Sequence, residues 1–198
     1  GKDSAPQGSW KRPAGTASQI PRAVVAGAAR SALQPSAFPD KANTISPDRK
    51  TTDMAIRPLL RYPDPALSLA CLPVEHFDEA LCTLSADLLQ TMRAAPGVGI
   101  TAAHIGVLLR VVVLELDPKL GPRTFVNPEI GWFSEETEKH TEGSVCMPGA
   151  TDEIVRPAAI RFTYRDLDGT RHEEEMRGFP AICMQHEIDQ LDGIFWLQ

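Results

Sequence analysis

The segment QHEIDQ, residues 185–190, decides the fold and the chemistry that this sequence predicts. On an α-helix, positions i and i+4 share a face, so His186 and Gln190 point the same way with Glu187 beside them. Metallohydrolases use two histidines at this spacing as metal ligands and the glutamate as general base. Here the second histidine is replaced by glutamine. Taken alone, the segment is more typical of a surface helix with one ordinary histidine.

The elements around this segment predict an α+β protein. A helix is expected over 179–191, closed by Asp192-Gly193, and an earlier helix with buried leucines should stop at Pro96-Gly97. The run RVVVLEL at 110–116 predicts a strand. Two further strands, at 158–164 and 170–176, should pair as a hairpin. Strands dominate the middle and a helix comes late, which favours α+β.

Two other segments carry residue types that are able to do chemistry. EGSVCMPG, residues 142–149, predicts a strand entering a Pro-Gly turn, and Cys146 is either a thiolate metal ligand or a part-buried free cysteine. GVGITAAHIG, residues 97–106, has two glycines that permit a close backbone approach. It lacks the pattern of a phosphate loop. Its single His104 is more often a structural histidine than a ligand.

Together and in this order, the three segments resemble the signature motifs of peptide deformylases. The family pattern is GxGxAAxQ, EGCxS and QHExDH, and this chain has GVGITAAH, EGSVC and QHEIDQ. The resemblance covers residues 54–198. Matching flanks extend it: RPLLRYPDPAL (57–67), TMRAAPGVG (91–99), RDLDG (165–169) and LDGIF (191–195).

The resemblance implies an α+β fold with antiparallel sheets around a central helix that bears the HExxH-type motif. It implies a hydrolase that removes the formyl group from the N-terminal methionine of nascent chains, with N-formylmethionyl or similar N-terminal peptides as partners. The cofactor implied is a divalent metal, Fe²⁺ or Zn²⁺, held by one cysteine and two histidines.

The same resemblance assigns roles to positions in this sequence. His186 corresponds to a metal ligand, Glu187 to the general acid/base, and the Val145 N–H to part of the oxyanion hole. The residues that correspond to substrate-binding positions are Val98, Gly99, Arg156, Ile182 and Cys183.

Three functional positions depart from the family pattern. Ser144 stands at the cysteine ligand, Gln190 at the second histidine, and His104 at the glutamine expected near the oxyanion. A serine hydroxyl ionises far less readily than a thiol, and Gln190 offers only a neutral carbonyl oxygen. Metal binding is therefore expected to be weak or absent. The alternative is an inactive family member that binds peptide or a protein partner through the retained groove.

A relocated metal site is a further alternative. Cys146 lies two residues beyond Ser144, and positions i and i+2 of a strand share a side. His104, Cys146 and His186 would then be the ligands. Because strand residues two apart are roughly 6–7 Å apart at their Cα atoms, the metal would have to move from the family position.

Residues 1–53 differ in composition from the rest. They are rich in Ala, Ser and Pro, and they hold eight Lys/Arg against four Asp/Glu, which is a net charge of +4. Because the whole chain carries −6, residues 54–198 carry −10. We expect either a disordered extension, an organellar transit peptide, or upstream sequence outside the native protein, since Met54 is the first methionine. Residues 54–198 are expected to form the deformylase-like domain.

Composition limits the remaining possibilities. The chain has 198 residues, 42% of them hydrophobic, which suits one domain with its own core. The net charge of −6 argues against nucleic acid as a partner, and no apolar run approaches the roughly 20 residues of a membrane helix. Four cysteines without a paired spacing predict reduced thiols. We expect a cytoplasmic protein, or an organellar one if residues 1–53 are a transit peptide.

Overall fold

The computed structural model describes residues 55–194, so the expectations for residues 1–53 lie outside the described part of the chain. Within it, two α-helices and seven strands follow one another, with short 3₁₀ turns at Pro65–Ser68 and Ala102–Ile105. The helices are α1 (Glu79–Ala94) and α2 (Phe179–Leu191). The strands are β1 (Gly99–Thr101), β2 (Val111–Leu114), β3 (Arg123–Phe133), β4 (Thr137–Ser144), β5 (Met147–Pro157), β6 (Ala159–Arg165) and β7 (Arg171–Arg177).

A five-stranded antiparallel sheet, in the order β1-β2-β3-β6-β7, separates the two helices. All four residues of β2 are buried, which explains why its sequence is an unbroken apolar run and not an alternating one. Val111 and Val113 pack in the cluster that contains the α1 leucines. Val112 and Leu114 pack in the cluster that contains α2. The strand predicted over 110–116 therefore exists, in a shorter form.

The helix α2 has the bounds that the sequence predicts. Gly178, at φ 58°, precedes it, and Pro180 occupies its first turn, where a missing N–H costs nothing. Gly193, at φ 74°, follows its end in the left-handed conformation that glycine adopts most readily. Every residue from 181 to 191 is buried, so α2 is a central helix enclosed on all sides.

The helix α1 also agrees with the prediction. The Asp78 side chain accepts a hydrogen bond from the Leu81 backbone N–H at 3.2 Å and so caps the first turn. Leu88 and Met92 are fully buried on the face that meets the sheet. The helix ends just before Pro96-Gly97, which leads directly into β1.

The turn predicted at Pro148-Gly149 is wrong. The chain reverses at Val145-Cys146, and Ser144 pairs with Met147 across the reversal. Pro148 and Gly149 instead lie inside β5, at an irregularity in the pairing with β4, where Gly149 has φ +82°. Long cross-strand pairing outweighs the local turn preference of the Pro-Gly pair.

The predicted hairpin of β6 and β7 is confirmed, with β7 beginning one residue later than expected. The Asp166 side chain accepts from the backbone N–H groups of Asp168 and Thr170, and Gly169 has φ +82°. The loop is thus longer than a two-residue Asp-Gly turn.

None of the helices in residues 55–194 is long and apolar enough to cross a membrane. The α+β prediction, with antiparallel sheets and a central helix, is confirmed.

Candidate functional site

A cavity of about 600 Å³ brings the three motifs together. The segment before β1 forms one wall, the β4–β5 turn another, and α2 the floor. Nine of the predicted site residues line it: Val98, Gly99, His104, Ser144, Val145, Ile182, Cys183, His186 and Glu187.

Within residues 55–194, His104, Cys146 and His186 are not grouped as the relocated metal site would require. Cys146 is buried and does not line the cavity, and burial raises the pKa of its thiol to about 12. Because the chain reverses between Ser144 and Met147, the strand rule that put Ser144 and Cys146 on one side does not apply. Instead, the Cys146 backbone N–H donates to Ser144 Oγ at 3.2 Å.

Arg156 does not line the cavity either, so the substrate-binding role predicted for it has no support in the geometry. Its buried guanidinium donates to both carboxylate oxygens of Glu142, from Nε at 2.5 Å and from Nη2 at 2.9 Å. Nη1 donates to Asp189 Oδ2 at 2.7 Å. Arg156 therefore fastens the β4–β5 hairpin to α2 from behind the cavity wall.

Glu142 fixes the orientation of His186. Burial raises the pKa of Glu142, but hydrogen bonds from His186 and Arg156 outweigh burial and hold it at about 2. The carboxylate can only accept, so His186 Nδ1 donates to Glu142 Oε2 across 2.8 Å. When the ring is neutral, its lone pair is therefore on Nε2.

That lone pair is taken by Gln190. Gln190 Nε2 lies 2.6 Å from His186 Nε2, and both side chains are buried. An amide nitrogen is only a donor, so the contact is an N–H of Gln190 donating to the imidazole. The nitrogen of His186 that would face a metal is thus occupied by a protein hydrogen bond.

Glu187 follows His186 on α2, and its carboxyl group is buried. It is 5% exposed, and its Oε2 is the buried side-chain polar atom that has no hydrogen-bond partner among the described residues. The other oxygen lies against the backbone of Gly99, where an added Cβ would collide with it. Burial raises the pKa of Glu187 to about 7. This value suits a general base near neutral pH.

His104 presents a fixed tautomer to the cavity. Its Nδ1 accepts the Thr101 backbone N–H at 2.8 Å, so the ring proton is on Nε2 when the ring is neutral. Burial, together with the nearby His186, lowers the pKa of His104 to about 3. The side chain is therefore a neutral donor at the cavity wall.

Sequence reasoning missed several residues that shape the site. Glu142 and Asp189 lie within the motifs, but the resemblance assigns them no role. Glu142 contacts His186 and Arg156, and Asp189 contacts Arg156. The cavity rim is also formed by His140 and Phe179, whose ring centroids are 5.3 Å apart, and by the exposed Arg61. The available signal for Glu142 was a glutamate two residues before the ligand position in the second motif.

Comparisons with known proteins decide the family. The model of the family described as polypeptide deformylase matches residues 56–198. The chain belongs to the peptide deformylase family. A Bradyrhizobium diazoefficiens protein named "Peptide deformylase-like" is 62% identical over 145 residues, covering 73% of this chain and 85% of that protein.

Two solved deformylases extend the likeness to structure. The Ehrlichia chaffeensis peptide deformylase in complex with actinonin has a TM-score of 0.70 and 35% identity, covering 73% of this chain and 88% of that one. The Met-Ala-Ser-bound class I type b peptide deformylase of Acinetobacter baumannii has a TM-score of 0.69 and 28% identity, covering 73% and 98%. The predicted family and fold are thus confirmed.

The deformylase family is a class of metalloenzymes, but the side chains at this site do not fit a divalent metal. In residues 55–194, no three His, Cys, Asp or Glu side chains are grouped so as to hold a metal ion. At the positions that the resemblance assigns to the metal ligands, the donors are the hydroxyl of Ser144, the amide of Gln190 and the imidazole of His186. Only His186 is a good ligand for iron or zinc, and its Nε2 already accepts a hydrogen bond from Gln190.

Proposed function

We propose that this protein binds the N-terminal methionine end of peptides in the cavity and does not carry out the metal-dependent deformylation of its family. The observation that carries the proposal is the hydrogen bond from Gln190 to His186 Nε2. A metal at the family position would have to displace it, and would gain no thiolate in return because Ser144 replaces the cysteine.

Hydrolysis without that metal lacks an activated nucleophile. Glu187 keeps the position and the pKa of a general base. The water that it would deprotonate has a pKa of 15.7, and a bound metal lowers such values to about 7. The rival function, a working hydrolase with weak or unusual metal binding, is favoured by Glu187 alone.

Peptide binding is supported by the cavity wall. Val98, Ile182 and Cys183 give the cavity an apolar side of the kind that a methionine side chain requires. Deformylases act on the N-terminal methionine of nascent chains, and relatives have been solved with actinonin and with Met-Ala-Ser. The competing explanation is that these three residues only pack the core.

Titration of short peptides that begin with Met or with Asp tests the proposal. We expect Met-first peptides to bind at least about tenfold more tightly, because burying an apolar side chain is worth about 1.5–3 kcal/mol. Val98→Asp should abolish this preference. Val155→Asp is the matched control, since both valines are 44% exposed and Val155 does not line the cavity. Equal binding of both peptides by the unsubstituted protein would remove the proposal's support.

A further inference from the structure

Arg61 is held at the cavity from two sides. It is the only Lys or Arg among the described residues that line the cavity. The backbone N–H of Leu60 donates to the carbonyl oxygen of His104 at 2.8 Å, and that of Tyr62 donates to the carbonyl oxygen of Cys146 at 3.1 Å. Arg61 thus lies between two hydrogen bonds that join its segment to the first and the second motif.

The guanidinium of Arg61 keeps most of its donors. Its Nη1 donates to the carbonyl oxygen of Val145 at 3.0 Å, and the side chain is exposed. This bond uses one of the five N–H groups of a guanidinium. Seven of the ten arginines in residues 55–194 form an ion pair with a carboxylate, and Arg61 is not one of them. Its charge is therefore not balanced by a carboxylate in the described part of the chain.

The acidic groups of the cavity do not neutralise this charge. Glu142 and Glu187 are the acidic residues that line it. Both oxygens of Glu142 accept from Arg156, and one also accepts from His186. Glu187 is buried, and neither glutamate forms an ion pair with Arg61. A ligand that extends from the cavity to the rim therefore meets a cation with free donors, and the group that suits a guanidinium best is a carboxylate.

From this geometry we infer that Arg61 selects peptides that carry a carboxylate close to the N-terminal methionine, with the carboxylate paired to the guanidinium at the cavity rim. The inference rests on the proposed function and names the ligand class. The carboxylate comes either from an Asp or Glu side chain at the second or third peptide position, or from the C-terminus of a very short peptide. The planar donors of arginine match both sources equally well.

The overall charge of the protein makes this preference a specific one. Residues 54–198 carry a net charge of −10, so the field of the whole domain repels an anionic peptide. Tighter binding of an anionic peptide than of its neutral counterpart would then have to come from a local cation. Among the described cavity residues, Arg61 is the only permanent one.

The test uses three pairs of peptides that differ only in one carboxylate. The pairs are Met-Asp-Ser amide with Met-Asn-Ser amide, Met-Ala-Asp amide with Met-Ala-Asn amide, and Met-Ala-Ser free acid with Met-Ala-Ser amide. They are titrated by calorimetry into the full chain, with EDTA present, at about pH 7, where the carboxyl groups are ionised. We expect the anionic member of at least one pair to bind about fivefold more tightly at low salt, with less discrimination at high salt.

Substitutions of arginine separate the role of Arg61 from a general charge effect. Arg61→Gln should remove the discrimination, and Arg61→Lys should weaken it, because an ammonium lacks the planar pair of donors. Arg165→Gln is the matched control. Arg165 is also an exposed arginine that donates to a backbone carbonyl, that of Gly169 at 2.5 Å, and it does not line the cavity. If Arg61→Gln does not fold, Arg61→Lys decides the role of the side chain.

The possible results are distinct. A gain in the first or second pair assigns the carboxylate to a side chain, a gain only in the third assigns it to the C-terminus, and each supports the inference. Equal binding within all three pairs, by a protein that prefers Met-first to Asp-first peptides, overturns the inference and leaves the proposed function standing. Absence of that Met preference overturns both. Undiminished discrimination by folded Arg61→Gln, or by Arg61→Lys where only that variant folds, overturns the role of Arg61.

Discussion

Gln190 Nε2 lies 2.6 Å from His186 Nε2, one helical turn away on α2. By resemblance, Gln190 stands where the family has its second histidine. An amide at this position supplies no imidazole ligand, and here it also places an N–H donor on Nε2 of His186. The i and i+4 spacing that lets two histidines share a metal also lets glutamine and histidine share a hydrogen bond.

Removal of the Arg156 guanidinium should strongly destabilise the fold. Arg156→Met leaves the buried carboxyl groups of Glu142 and Asp189 without their shared cation, which typically costs about 3–5 kcal/mol. Arg161→Met is the control, because Arg161 forms an exposed pair with Glu175 that is worth about 1 kcal/mol or less. Urea unfolding measures both variants. Similar losses for the two would contradict the account of the network.

Gly99 is required by its contact with Glu187. In Gly99→Ala, the new Cβ would collide with Glu187 Oε1 and lie 2.8 Å from Leu114 Cδ2, so we expect a loss of about 1–3 kcal/mol and weaker peptide binding. Gly131→Ala provides the comparison, since the nearest atom to its Cβ is 4.0 Å away. Thermal unfolding and peptide titration of both variants test this. Unchanged binding by Gly99→Ala would argue against a close fit at this contact.

His104 should make the fold sensitive to acid. Its pKa of about 3 lies below the ordinary 6.5 because the ring is buried and near His186. Between these values the unfolded chain binds a proton that the folded chain does not, so the free energy of unfolding falls as the pH is lowered. When the pH is lowered from about 6.5 to about 4.5, we expect the free energy of unfolding to fall by about 1–3 kcal/mol less in His104→Gln than in the parent protein. Parallel stability curves for the two proteins would show that His104 is not buried in its neutral form.

The elements that the sequence predicts well are those with clear end signals. Helix α2 is bounded by Gly178-Phe179-Pro180 at its start and by Asp192-Gly193 at its end, and α1 is followed by Pro96-Gly97. The Pro148-Gly149 pair misleads because its local preference for a turn is overridden by pairing between β4 and β5. Local signals are reliable only where no longer-range pairing competes with them.

The sequence predicts which residues lie at the site, but it does not predict which side chains contact one another. Three motifs with family spacing place nine residues at one cavity. The buried ion pairs of Arg156 join residues 14 and 33 positions apart, and no local pattern indicates which charged side chains are buried together. The substrate-binding role of Arg156 was implied by the family resemblance alone, and the geometry gives it no support, because the guanidinium is buried and does not line the cavity. The same limit applies to Cys146, whose direction depends on where the chain turns.

Restoring the two family ligands should restore the chemistry. In Ser144→Cys with Gln190→His, a thiolate and a second imidazole join His186, and we expect divalent metal binding and deformylation of formyl-Met peptides to return. The effects should be strongly non-additive, because each ligand matters only when the other is present. Metal binding and deformylation by either single variant at the level of the double variant would contradict this.

The most direct measurement is the iron, zinc and nickel content of the unsubstituted protein, purified anaerobically, together with its rate on a formyl-Met peptide. The account predicts far less than one metal ion per chain and little turnover, with the Ser144→Cys, Gln190→His double variant as the metal-binding reference. Full metal occupancy with rapid deformylation by the unsubstituted protein would contradict it.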